Sequence, residues 1–112
     1  MARVYDIVSR LENGNQKPKI KVDSENEFTI NNSKAAALTI MSIEKDKKLN
    51  DVEKIDKLIL VALGKEASEY IEKLELSMSS YTVIVNAIMA AIADVSLEEM
   101  EEEAKKQKAP RG

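Results

Sequence analysis

The chain reads as a mainly α fold, a compact helical bundle with a short β-hairpin near the N-terminus. Three observations carry that reading. Polar and apolar residues alternate only over Lys19–Asp23 and Glu27–Asn31. From Ser33 to Ala93 the apolar residues recur instead with a period near 3.6, and Ser33, Asn50, Ser77 and Ser96 stand where helices would need N-terminal caps. A chain of 112 residues suits one domain, burying roughly 60–70% of its unfolded surface in a single modest core. We assign a globular domain to residues 1–96, with the hairpin at about 19–31 and helices over about 33–94. Residues 97–112 form a charged C-terminal helix or tail.

Val4, Tyr5, Ile7, Val8 and Leu11 have helical spacing and predict a first helix that stops at Asn13-Gly14, although Val, Tyr and Ile favour strands equally well. The polar stretch Glu12–Lys17, closed by Pro18, is a linker. A lone hairpin is marginal in water, so the hairpin face carrying Ile20, Val22, Phe28 and Ile30 has to rest on helices or on another chain. Ser33 then starts a helix with Ala36, Ile40 and Ile43 on one side, flanked by Ala37 and Met41, ending near Asp46. Asn50, three residues before Glu53, forms a capping-box start for a helix lined by Val52, Ile55, Ile59, Ala62 and Leu63. Gly64 suits a left-handed cap at its end. The next helix presents Ala67, Tyr70, Ile71 and Leu74.

The helix from Met78 to Ala93 differs from the others because its apolar residues are not confined to a stripe. Tyr81, Ile84, Val85, Ile88 and Ile92 form one face, while Val83, Ala87, Ala90 and Ala91 cover much of the rest. A helix that is apolar all round has to be covered all round. Either it is the central helix of the domain, or its small-residue side meets a partner chain, since so small a protein has few elements with which to surround a helix. Val83, Ala87, Ala90 and Ala91 are therefore the candidate protein-binding residues.

Composition narrows the chemistry. There is no His and no Cys, which removes the commonest general base, thiolate nucleophiles and the usual transition-metal ligands. With only three Gly and no phosphate-cradling loop, we expect no enzyme activity, no catalytic residues, no cofactor and no metal. Asp23-Ser24-Glu25-Asn26-Glu27 starts like a calcium loop, but Phe28 stands where Gly is needed and Lys34 where Glu is needed. The run Glu98, Glu99, Glu101, Glu102, Glu103, followed by Lys105, Lys106 and Lys108, is the order that a solvated helix macrodipole prefers. A net charge of −3 offers no field for nucleic acid. The helix pair around Gly64 would present Glu66, Glu69, Glu72 and Glu75 to phosphates against Lys73 alone. The apolar run Val83–Ala93 is too short to span a bilayer and no secretory signal opens the chain, so the expected location is the cytoplasm, with no membrane partner.

The segments IDKLILVALGKEASEYI (Ile55–Ile71) and YTVIVNAIMAAIADVSLEE (Tyr81–Glu99), with the hairpin and the NNS that follows it, resemble the tail assembly chaperones of long-tailed, siphovirus-type bacteriophages and prophages. The resemblance covers most of the chain and rests on pattern rather than on a catalytic signature. It implies a cytoplasmic protein of the host cell that coats the tape measure protein, recruits tail tube protein and is absent from the mature virion. It also implies a longer product made by ribosomal frameshifting, for which Ala104-Lys105-Lys106 permits a slippery codon run. The residues alone leave two rivals: a small dimeric structural or scaffolding protein, here a homo-oligomer, and a phage-encoded inhibitor of a host protein.

Overall fold

The computed structural model describes residues 2–14 and 16–108, with side chains through residue 103. In chain order the elements are α1 (Val8–Gly14), β1 (Lys19–Lys21), β2 (Glu27–Thr29), α2 (Lys34–Lys45), α3 (Asp51–Leu63), α4 (Lys65–Lys73), α5 (Met78–Ala93) and α6 (Leu97–Lys108). The fold is mainly α, as the spacing predicts, with one antiparallel hairpin.

The strands pair with Ile20 opposite Phe28, so one hairpin face carries Ile20, Val22, Phe28 and Ile30 onto the helices. Ile20 and Ile30 are buried, while Val22 and Phe28 pack against the core from its edge. Two backbone bonds anchor the hairpin. Ile30 N–H donates to the Pro18 carbonyl at 2.8 Å, and Asn31 N–H donates to the Ala62 carbonyl at 2.8 Å. The second bond ties the hairpin to the C-terminal end of α3 and satisfies a carbonyl that the last helical turn cannot. The hairpin turn is held by Asp23, whose Oδ1 accepts from the backbone N–H groups of Glu25 and Asn26 at 2.9 and 2.8 Å. The Tyr70 hydroxyl of α4 donates to Asp23 Oδ2, and Asn26 Nδ2 donates to that hydroxyl at 2.9 Å. Donation by Tyr70, then by Asn26, stabilises the charged carboxylate and lowers its pKa from 3.8 to about 2.

The helix starts follow their caps. Ser33, Ser77 and Ser96 accept from the backbone N–H of Ala36, Ser80 and Glu99, and Asn50 forms a complete capping box with Glu53. The core gathers Ile20, Ile30, Ile40, Leu58, Ile59, Ala62, Ile71, Ile84 and Ile88. No polar or charged side chain is buried among the described residues.

Four expectations need correction. The first helix begins at Val8 rather than Val4, runs through Glu12–Gly14 into the expected linker, and buries none of its residues. Its five apolar side chains have nothing to pack on, so periodicity alone does not extend the helix. Val52 is 53% exposed in the first turn of α3, on a side of the helix that no other element covers, and Leu58 is buried in the core instead. Leu74 also lies at the surface just past the end of α4. Gly64 has a positive φ but not a left-handed cap geometry, with φ 93° and ψ 170°. Its N–H bonds the Leu60 carbonyl and its C=O accepts from Ser68, so one residue closes α3 and opens α4. The left-handed cap appears instead at Asp94 (φ 58°, ψ 45°), where Val95 N–H bonds back to the Ala90 carbonyl at 3.0 Å and closes α5.

Candidate protein-binding grooves

Helix α5 sends Ile84 and Ile88 into the core and leaves an open groove on each flank. On the hairpin side, two depressions of about 700 and 460 Å³ meet at Lys19, Ile20, Ala87 and Leu97, forming one trough between β1 and α5. Ala87, Ala90 and Ala91 lie along it, and Val83 lies at its far end.

All four residues singled out from the sequence thus line the same trough, but they are not equivalent. Val83 is 47% exposed, and Ala87 and Ala91 are half-buried. Ala90 is only 4% exposed. Its short methyl sits in the floor with Ile20 and Ile30 and belongs to the packed interior, which removes it from the contact surface. The rim carries Lys17, Lys19 and Lys21 against Asp94.

The opposite flank holds a groove of about 580 Å³ between α3, α5 and α6. Met78, Met89 and Met100 line it together with Ile55, Leu58 and Val85. Met78 and Met89 stand three helical turns apart and so share a face of α5, while Met100 comes from α6. The charges here are reversed: Glu44, Asp51 and Glu103 against Lys54, whose Nζ donates to the Glu44 carbonyl at 3.0 Å near the end of α2. Thioether side chains are flexible and polarisable, and a surface built from them adapts to apolar partners of varied shape.

This second groove is absent from the sequence reading. The spacing of Met78 and Met89 was a usable signal for it, but the contribution of α6 was not legible, because it depends on the turn at Asp94. No group of acidic residues able to hold a metal ion is present among the described residues, and no single helix there is long and apolar enough to cross a membrane. No protein-family model, curated protein or solved structure matches the chain.

Proposed function

We propose that the chain is a tail assembly chaperone of a long-tailed bacteriophage or prophage. In this role it masks apolar helical segments of the tape measure protein in the host cytoplasm and brings tail tube protein to them. The observation that carries the reading is the methionine-lined groove beside α5, an open apolar trough on a small acidic protein. A groove of this kind receives one face of an amphipathic helix, with anchors at the i, i+3, i+4 and i+7 positions. Its acidic rim selects helices whose apolar face is bordered by Lys or Arg. The residue pattern of Ile55–Ile71 and Tyr81–Glu99 supplies the narrower identity.

Co-expression with the tape measure protein encoded beside it tests the reading. A soluble complex is expected, in which the tape measure protein precipitates when the chaperone is omitted. Failure of the two to co-purify, with the tape measure protein equally soluble alone, rules the role out and leaves the dimeric scaffolding protein as the better reading.

A further inference from the structure

The N-terminal segment is the least satisfied part of the chain. Val4 is 86% and Tyr5 75% exposed, and Ile7, Val8 and Leu11 are each at least half exposed. Five large apolar side chains within eight positions is far more than an isolated surface segment carries in a protein that works alone. Helix α1 is seven residues long and buries nothing, whereas isolated helices shorter than roughly 12–15 residues are marginal in water. Something else must hold the segment in place.

The same chain carries a surface of the complementary kind. The alanine-floored trough has an apolar floor of Ile20, Ile30, Ala87 and Ala91 between polar walls that include Asn32, Lys17 and Asp94, and small floor residues accept large side chains between them. Its mouth is lined by Asn13, Gly14 and Lys17, the root of the arm itself, yet none of Val4–Leu11 lines its own trough. Pro18 is fixed by its bond to Ile30, which leaves only residues 15–17 between the last residue of α1 and the anchored hairpin. Short hinges of this kind favour exchange of a segment between copies over its return onto the same body. The arm carries Arg3 and Arg10 against Asp6 and Glu12, so the basic rim of the trough meets no net like charge.

We infer that two copies of the chain exchange N-terminal arms, each laying Val4–Leu11 along the other's trough beside Ala87 and Ala91. The exchange is isologous: a two-fold axis relates the copies and creates two equal contacts. A standard interface totals roughly 1,200–2,000 Å², so each arm need supply only about half of it.

Sedimentation and disulfide trapping of the full chain test this directly. The wild type is expected to be a dimer, and Ile7→Glu with Val8→Glu a monomer with an unchanged circular dichroism spectrum, because the arm buries nothing in its own body. The chain has no native cysteine, so Ile7→Cys protein mixed with Ala87→Cys protein should give a disulfide-linked heterodimer on oxidation. Inserting six Gly/Ser residues after Lys17 should shift the population toward monomers by letting each arm reach its own trough. A monomeric wild type, a dimer that survives the double Glu variant, or a failure of the two cysteine variants to cross-link overturns the proposal. None of these readouts involves a tape measure segment, so the outcome is independent of the chaperone reading.

Discussion

On the hairpin side of α5 the groove floor is Ala87 and Ala91 under a basic rim; on the α3 side it is Val85 and Met89 under an acidic one. One helix builds both, and α6 contributes to both, Leu97 to the first and Met100 to the second. The difference lies in what each floor can accept. Alanines fix the shape of a floor and suit one partner of fixed shape, such as a repeated segment of the same chain. Methionines re-pack and suit a series of different apolar helices, as the proposed tape measure partner would present. The two proposals thus use different surfaces, self-assembly the alanine groove and client binding the methionine groove.

The largest expected effect separates floor from rim within the alanine groove. Ala90→Glu places a carboxylate where 4% of the residue is exposed and no polar partner is buried nearby. It should cost about 3–5 kcal/mol, the scale of an uncompensated buried charge, and unfold much of the protein. Val83→Glu, at a half-exposed position of the same groove, should change stability by less than about 0.5 kcal/mol. Urea unfolding of the two variants checks this, and equal losses would mean that the groove is closed core throughout.

The next test addresses the other flank. Met78→Lys combined with Met100→Lys removes two thioethers and sets like charge against a basic-bordered helix, and Met78 is largely exposed while Met100 is only half-buried. The fold should survive, and binding of an apolar helix with basic borders should weaken by about 1.4 kcal/mol per residue, roughly tenfold each. Titration calorimetry with a peptide of that design measures it, with Val83→Glu as the control that should bind normally. Weakening by Val83→Glu alone would reverse the assignment of the two grooves.

Much of this organisation was legible in the sequence, and the failures have physical causes. The hairpin face and the helix caps follow from local rules, so Ile20, Ile30, Ser33, Asn50 and Ser77 stand where spacing puts them. Periodicity states which residues share a face but not whether that face meets anything. Val52 and the Val4–Leu11 segment have the right spacing and no neighbour, whereas Ala90 has a close neighbour in the hairpin, which only the fold reveals. The methionine groove joins residues from α3, α5 and α6 across two turns, and the turn at Asp94 uses a left-handed aspartate where a sequence argument looks for glycine.

A smaller effect is expected at Gly64. A Cβ there would meet nothing within 4 Å, so Gly64→Ala tests backbone strain alone, at φ 93° and ψ 170°. We expect a loss of about 1–2 kcal/mol, visible as a lower urea midpoint with an unchanged slope. Because Gly64 directs α4, which carries Tyr70 to the hairpin turn, the strain should loosen the alanine groove more than the methionine groove. Hydrogen exchange should show it as faster opening in β1 and β2 than in α5.

The gentlest perturbation acts on that same contact. Asp23 has its pKa lowered from 3.8 to about 2, chiefly because the Tyr70 hydroxyl donates to the carboxylate. A depressed carboxylate pKa stabilises the fold above the unfolded value, and that contribution is lost as pH falls from 3.8 through about 2. Tyr70→Phe removes the main donor, so Asp23 should titrate closer to its ordinary value and the variant should lose less stability over that interval than the wild type. Asn26 still donates to Asp23 in the variant, at 2.9 and 3.2 Å, so the shift should shrink rather than vanish. Above pH 4 the variant should be the less stable of the two, and its hairpin, the outer wall of the alanine groove, the more mobile. NMR titration of the Asp23 carboxyl carbon, with exchange rates at Lys19–Lys21, follows both effects. If the Asp23 pKa stays put in Tyr70→Phe while β1 loosens, Tyr70 supports the groove wall through its ring, which packs 5.7 Å from that of Phe28, rather than through the hydroxyl.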